Sequence, residues 1–285
     1  MHKIRVHCWG GLGSQLYCLA LAIDLLDRFP FRKVHILFHT GGLTHRKLEL
    51  SEFPDNVSYS IIEDFTKSFN TNAKNFTSSF NLKKMFKKLI SKLGLIGAVN
   101  TSLEFKRLKP WVVSIRGHYS HRLICDSTVE QMDCLLELAY RNNSMKNYNK
   151  SLVAIQYRCG DLLAKKKSSM VQADKILSVL NDLKKLEKLY SVDVFSDSNQ
   201  NELDNLLSIL KPLNIQYTES TPLNTIYQIR DYNFFIGTNS KITIWAIIFR
   251  LKDDIKSTNY CPGNLLPLLN YNLGDLDTAI NLKTY

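Results

Sequence analysis

The pattern of hydrophobic and polar residues predicts that strands and helices alternate along the chain. Residues 3–9 alternate between polar and apolar side chains, which is typical of a strand, and apolar residues then recur at helical spacing from Leu16 to Leu26. The same pattern in the rest of the first half predicts strands at 33–38, 57–62 and 111–115 and a helix at 126–140.

The second half repeats a strand-loop-helix pattern. Its strands are predicted at 151–157, 192–195, 215–218 and 233–236, and its helices at 173–190, 201–210, 221–230 and 242–251. Such units favour an α/β domain that binds a nucleotide. The end of the chain, 261–285, is predicted to be less regular, because Pro262 and Gly263 interrupt any continuous helix.

A polar run separates the two halves. Residues 141–150, RNNSMKNYNK, lack apolar periodicity, and we expect a linker there. The expected domains are residues 1–145 and residues 150–285.

Polar residues follow the first strand of the second half. This strand, SLVAIQY, leads into Arg158, Gly160 and Asp161. Ligands of open α/β sheets bind beyond the carboxyl ends of the strands, so Arg158 and Asp161 are expected at the mouth of a crevice. The planar guanidinium of Arg158 suits a phosphate, because it offers paired donors to two oxygens. An Arg–Asp pair that only closes a turn is the alternative interpretation.

A glycine-rich loop, residues 10–15, joins the first strand to the first helix. This arrangement directs backbone N–H groups at an anion. The spacing GGLGSQ is neither the dinucleotide-binding fingerprint nor a Walker loop. A tight turn that needs a positive φ is the competing interpretation.

The cysteine content, the apolar runs and the net charge limit the classes of protein to which the chain can belong. The six cysteines among the 285 residues are scattered without a Cys-x-x-Cys pair, which disfavours a zinc site and a disulfide framework. No signal sequence and no apolar run of membrane-spanning length is present, so we expect a cytoplasmic protein without a transmembrane helix. The net charge of +11 predicts anionic partners.

A basic segment at 74–109 holds nine lysine and arginine residues and a single acid, Glu104. Within it, residues 80–93 place apolar side chains at helical spacing between lysines, as in a helix that lies on an anionic membrane. A core-packed helix with a solvated basic face explains the pattern equally well. Nucleic acid is disfavoured, because aromatic and arginine side chains are not interleaved with the lysines as a reading or stacking surface requires.

Five stretches together resemble the α-1,2-fucosyltransferases of bacterial polysaccharide synthesis, within the GDP-fucose transferase superfamily. Residues 10–15 resemble GGLGNQ, 116–120 G-Y-[FW]-Q-S, 156–161 HxRRGD, 194–198 FSDD, and 239–245 NSSFSWW. The chain departs from these motifs at Ser14, Gln156, Cys159, Lys241 and Ile242.

The resemblance implies an α/β fold of the GT-B type, in which two Rossmann-like domains face each other across a cleft. It also implies an inverting transferase without a metal or other cofactor, in which Arg158 neutralises the departing diphosphate. The donor-binding residues that it implies are Gly11, Gly13, Ser14, Gln15, Arg158, Ser196, Asp197, Asn239, Ser240 and Lys241. The polar loop before the linker supplies His118, Tyr119 and His121 as candidate acceptor-binding residues.

The departures leave alternatives open. Lys241 either replaces the charge lost at Cys159 or marks a different sugar nucleotide. Asp161 is the candidate general base, and holding the Gly160 turn through backbone N–H groups is its alternative role.

The function that this implies is transfer of fucose from GDP-fucose to a galactose-type hydroxyl of a bacterial surface glycan, of the O-antigen or capsule type. We expect a lipid-linked acceptor and an enzyme peripheral to the inner face of the membrane. The alternatives are a GT-B transferase with another sugar nucleotide and a non-catalytic protein of this fold that binds membranes or nucleic acid.

Overall fold

The computed structural model describes residues 3–41, 46–50, 53–63, 93–141, 152–158, 171–186, 191–197, 203–211, 213–252, 257–274 and 281–285. The chain divides into two compact units, Met1–Leu135 and Leu136–Tyr285, called unit 1 and unit 2 below. The basic helix predicted at 80–93, apart from its last residue, lies outside the described residues, as do the polar run after residue 141 and Asp161.

Unit 1 is built on a sheet in which every strand pairing is parallel. Its elements are β1 (Lys3–Trp9), α1 (Leu12–Arg28), β2 (Lys33–His39), β3 (Val57–Ile62), β4 (Ile96–Ala98), α2 (Ser102–Lys106), β5 (Ser114–Arg116) and α3 (Asp126–Arg141), whose last residues belong to unit 2. The strand order is β3-β2-β1-β5-β4. The strand predicted at 111–115 begins only at Ser114, and β4 was not predicted.

The core of unit 1 lies between α1 and one face of its sheet. Helix α1 is buried continuously from Gln15 to Leu25, and it packs against β1 and β2. The strands contribute alternate residues to this core, namely Ile4, Val6, Cys8, Val34, Ile36 and Phe38. The opposite face of β1 and β2 carries polar and aromatic side chains, because side chains alternate across a strand.

Unit 2 has the same construction. Its further elements are β6 (Val153–Tyr157), α4 (Ala173–Leu186), β7 (Ser191–Ser196), α5 (Asp204–Leu210), β8 (Asn214–Glu219), α6 (Pro222–Gln228), β9 (Phe234–Gly237), α7 (Lys241–Lys252), β10 (Thr258–Cys261), α8 (Leu266–Leu273) and β11 (Leu282–Thr284). All pairings in the order β11-β10-β9-β6-β7-β8 are parallel. The predicted α/β class is therefore confirmed, with two parallel sheets.

The expectation of an irregular C-terminal end was wrong. Pro262 and Gly263 do stop a strand, but a 3₁₀ turn and α8 follow directly, with a proline in the first turn of α8. Proline is tolerated there, because the first N–H groups of a helix have no partner within the helix. Strands β10 and β11 extend the sheet on either side of this connection.

Each sheet has one point where the strand order reverses. In unit 2 the chain forms β6, β7 and β8 in one direction and then places β9 on the other side of β6. In unit 1, β2 and β3 lie on one side of β1, and β5 lies on the other. In open α/β sheets ligands bind in the crevice outside such a reversal, so a ligand is expected at the loops after β6 and β9, or after β1 and β5.

Candidate functional site

The reversal point of unit 2 brings most of the predicted donor-binding residues to one edge. Arg158 directly follows β6, and its backbone N–H donates to Thr238 Oγ1 over 3.0 Å, which joins it to the loop after β9. On the next strand, Ser196 is buried and donates to the Tyr157 carbonyl oxygen over 2.7 Å. Asp197, Asn239, Ser240 and Lys241 follow or begin elements at this same edge.

Gln156 organises this edge from inside the sheet. Its carboxamide oxygen lies 2.8 Å from Thr243 Oγ1, 3.4 Å from Ser240 Oγ and 3.5 Å from Thr238 Oγ1. These four side chains are buried. In the motif that the sequence resembles, this position is histidine. Here the neutral amide accepts hydrogen bonds from the loop that precedes α7, so the substitution has a structural role.

Ser240 caps α7. Its hydroxyl oxygen accepts from the Thr243 backbone N–H over 3.1 Å, which satisfies one of the first donors of the helix. Thr243 Oγ1 also lies 2.6 Å from the Thr238 carbonyl oxygen, and its single proton is shared between this acceptor and Gln156. The loop is therefore held rigidly at the N-terminus of a 12-residue helix, where an anion is electrostatically favoured.

Gly237 leaves room for this network. A methyl group at Gly237 would lie 2.1 Å from Thr243 Cγ2, so Gly237→Ala is expected to displace Thr243 from Gln156 and to cost about 2 kcal/mol of stability. Gly263→Ala is the matched control, because its methyl group would meet no atom within 4 Å. Urea unfolding of both variants measures the difference. Equal stabilities would contradict the close packing of Gly237 on Thr243.

The glycine loop of unit 1 is shaped by a positive φ and by Gln15. Gly10 has a φ of 95°, as the tight-turn interpretation expected. Gln15 is 2% exposed, and its Nε2 donates to the carbonyl oxygens of Lys47, over 2.9 Å, and Gly10, over 3.2 Å. Its Oε1 accepts from the Glu49 N–H over 2.9 Å. The Gln15 side chain thus binds residues 46–50 to this loop.

The predicted acceptor loop divides into exposed and buried residues. His118 and His121 are exposed. Tyr119 is 2% exposed, and its hydroxyl lies 2.5 Å from the His7 carbonyl oxygen and 3.3 Å from that of Ile115. Its φ of 60° is unusual for a residue with a side chain. The structure places the Tyr119 side chain inside unit 1, where it holds the loop against β1.

A cluster of imidazole and indole rings lies on the polar face of unit 1, and sequence reasoning missed it. His7 Nδ1 is 2.9 Å from His39 Nε2, and His7 Nε2 is 3.3 Å from Ser114 Oγ. The ring of Trp9 stacks on His39 with a centroid distance of 4.4 Å. The only available signal was that His7 and Trp9 occupy alternate positions of one strand.

Burial lowers the pKa of His7 to about 4, and the nearby Arg116, His39 and Arg5 act in the same direction. Between pH 6.5 and 4 the unfolded chain binds a proton at His7 and the folded chain does not. This contribution to stability is therefore complete above pH 6.5 and is lost as the pH falls towards 4.

The expected loss over that interval is about 3 kcal/mol of unfolding free energy. Urea unfolding at several pH values measures it. His7→Gln should flatten the dependence, leaving a smaller slope from His35, whose pKa is also lowered by burial. An unchanged slope in the variant would contradict the assignment to His7.

Two kinds of feature are absent from the described part of the chain. No three His, Cys, Asp or Glu side chains among the described residues come close enough together to share a metal ion. None of the helices in the ranges given above has the length and apolar character needed to cross a membrane.

Comparison with known proteins gives structural likenesses only. No known family and no curated protein matches the sequence. A glycosyl transferase of family 9 from Veillonella parvula is similar with a TM-score of 0.49 and 10% identity, over 100% of this chain and 85% of that chain. The E. coli heptosyltransferase WaaC with ADP is similar with a TM-score of 0.44 and 8% identity, over 99% of this chain and 92% of that chain. POFUT1 in its apo form is similar with a TM-score of 0.44 and 12% identity, over 92% of this chain and 98% of that chain. Likeness at this level does not identify a function.

Proposed function

We propose that this protein is a glycosyltransferase of the GT-B type that takes its sugar from a nucleoside diphosphate sugar bound at the reversal point of unit 2. The observation that carries the proposal is the joining of Arg158 to the capped N-terminus of α7 through Thr238. A guanidinium and the first N–H groups of a helix are two kinds of group that bind phosphate. Here the hydrogen bond from the Arg158 backbone N–H to the Thr238 hydroxyl connects the two loops that carry them.

The proposed chemistry uses these groups on the leaving group. When the bond between the sugar and the diphosphate breaks, negative charge grows on the diphosphate. We propose that Arg158 and the backbone N–H groups near Asn239 and Ser240 stabilise that charge without a metal ion. Lys241, as the first residue of α7, adds a cation next to them. Ser196 and Asp197 are proposed as further residues that contact the sugar nucleotide.

The proposed donor is GDP-fucose, and the proposed acceptor is a galactose-type hydroxyl of a lipid-linked bacterial surface glycan. This finer assignment rests on the resemblance to the bacterial α-1,2-fucosyltransferases. His118 and His121, both exposed, are the proposed acceptor contacts. The basic segment at 80–93 is proposed to hold the enzyme on the anionic inner face of the membrane.

Calorimetric titration of the purified protein with GDP, UDP, ADP, CDP and dTDP tests the proposal. We expect binding of one nucleotide, GDP, with the same affinity in the presence and absence of Mg²⁺. Preference for another nucleotide would be consistent with a glycosyltransferase but would contradict GDP-fucose as the donor. Failure to bind any of the five would contradict the proposed function and favour a non-catalytic protein of the same fold.

A further inference from the structure

Three large apolar side chains are exposed at the edge of unit 1 where its strands begin. Parallel strands start at the same edge of a sheet, so the loops before β2, β4 and β5 lie at one end of the unit. These loops carry Phe31, Leu93 and Trp111, which are 80%, 54% and 53% exposed. A single exposed apolar residue is ordinary on a protein surface, whereas a group of them marks a surface that binds a partner.

Hydrogen bonds connect the three loops. Arg32, which follows Phe31, donates to the two backbone carbonyl oxygens that flank Trp111. The Trp111 Nε1 group donates in turn to the Leu93 carbonyl oxygen over 2.6 Å. The indole therefore has no need of water at its polar atom, and the three apolar residues belong to one connected part of unit 1.

The backbone of the loop before β5 is also satisfied from inside the protein. Arg28, the last residue of α1, donates to the carbonyl oxygens of Phe105, Lys106 and Leu108 over 2.6, 2.8 and 3.1 Å. With Arg32, it gives partners to five carbonyl oxygens between residues 105 and 112. Water supplies such partners to a loop in solution, but a loop that enters a bilayer interface loses that water. The arrangement therefore fits contact with lipid.

Positive charge accompanies the apolar side chains. Four exposed cations lie in the same loops or directly after them, namely Lys33, Lys106, Arg107 and Lys109. Lys109 lies beside the tryptophan, because a methyl group on Gly94 would meet Lys109 Cγ at 2.8 Å and Trp111 Nε1 at 3.5 Å. Even with the flanking acids Asp27 and Glu104 counted, positive charge is in excess. The three apolar residues and these four cations are called the amino-edge surface below.

We propose that the amino-edge surface binds an anionic lipid bilayer, with its apolar side chains among the headgroups and its cations against the lipid phosphates. Tryptophan is enriched at this depth of a bilayer, and each cation near an anionic surface strengthens binding. An acidic protein would meet the same cations, but the internally paired carbonyl oxygens favour lipid. The inference rests on the proposed attachment to the membrane and not on the transfer reaction. It extends that attachment from residues 80–93 into the folded part of unit 1.

Tryptophan fluorescence of the full chain with lipid vesicles tests the proposal. The vesicles contain phosphatidylcholine and phosphatidylglycerol in equal parts, and a second set has brominated acyl chains, which quench an indole ring that touches them. We expect the emission to shift to shorter wavelength and to be quenched. Trp245 is fully buried and Trp9 stacks on His39, so the quenching should disappear in Trp111→Phe.

Vesicle sedimentation measures how much the surface contributes to affinity. Phe31→Ser should weaken binding about fivefold, and the double variant with Trp111→Ser about tenfold or more, because less apolar surface leaves water. Phe31 is so exposed that its replacement should leave unit 1 folded, which circular dichroism checks. Tyr271→Ser is the matched control, since Tyr271 is a 54% exposed aromatic residue of unit 2. It should bind vesicles as the parent protein does.

A charge variant tests the electrostatic part. Lys106→Gln combined with Lys109→Gln should weaken binding to the mixed vesicles about tenfold, because each cation near an anionic surface contributes to affinity. The parent protein should bind vesicles of phosphatidylcholine alone much more weakly than the mixed vesicles. Equal binding to the two kinds of vesicle would contradict an anionic partner.

The remaining outcomes separate this proposal from the others. Unchanged vesicle binding of the Phe31 and Trp111 double variant, without quenching of Trp111 in the parent, would overturn the amino-edge surface and leave residues 80–93 as the proposed attachment. A parent protein that binds neither kind of vesicle would overturn lipid as the partner of this surface. Calorimetry with nucleotide on the same preparation tests the donor site independently of either result.

Discussion

Asp24→Ala is expected to lower the free energy of unfolding by about 4 kcal/mol, because it leaves a buried cation without its counterion. Asp24 lies on the inner side of α1 and is 7% exposed. It accepts hydrogen bonds from the guanidinium of Arg122, which is 2% exposed, and from the hydroxyl of Thr128. Without the carboxylate, the Arg122 charge stays buried in an apolar environment, where water cannot solvate it in place of Asp24.

Urea unfolding followed by circular dichroism measures this loss. The control is Asp182→Ala, which removes an exposed ion pair with Lys185 and should cost less than about 1 kcal/mol. The double variant Asp24→Leu with Arg122→Met should recover most of the stability, because it removes both buried charges and keeps their volume. A loss below about 1 kcal/mol for Asp24→Ala would contradict the buried ion pair.

Arg158→Ala is expected to weaken nucleoside diphosphate binding at least a hundredfold, which corresponds to about 3 kcal/mol. The side chain supplies the fixed positive charge closest in sequence to the end of β6, and its backbone is anchored to Thr238. Alanine keeps this backbone hydrogen bond, so the loop should stay in place while the charge is lost. Arg158→Lys should have an intermediate effect, because an ammonium cannot form the paired hydrogen bonds of a guanidinium.

Calorimetry with the nucleotide that the parent protein binds best measures the change in affinity. Arg107→Ala removes an exposed arginine of unit 1 and serves as the control for the loss of one positive charge. It should leave the affinity unchanged within twofold. An affinity of Arg158→Ala within threefold of the parent would show that the phosphates bind elsewhere.

Strong periodicity made most of the fold predictable from the sequence. Alternation over seven residues identified β1 with both of its ends, and apolar helical spacing identified α1 to within four residues at each end. Strands β4, β10 and β11, which were not predicted, have only three or four residues each. They are strands because neighbouring strands supply their hydrogen bonds, which is a tertiary effect that local sequence does not encode.

The candidate site was predictable to the extent that it follows strand ends. Arg158 was predicted at the site because ligands of open α/β sheets bind beyond the carboxyl ends of the strands, and Ser240 was assigned to the same site by the resemblance. The hydrogen-bond network between them was not predictable. Gln156 stands where the similar motif has histidine, and nothing in the sequence distinguishes Thr243 from an ordinary helical residue. Glu49 had no signal at all, since its partner Gln15 is 34 residues away and residues 46–50 form no periodic element.

Amide hydrogen exchange with and without saturating nucleoside diphosphate tests where the nucleotide binds, because it reports which strand-end loop the nucleotide covers. If the nucleotide binds at the reversal point of unit 2, exchange should slow in peptides that span residues 157–158 and 238–243. Exchange should be unchanged at residues 10–15, where Glu49 accepts a hydrogen bond from the Leu12 N–H at the start of α1. Protection at residues 10–15 with none at 238–243 would contradict nucleotide binding at the reversal point of unit 2.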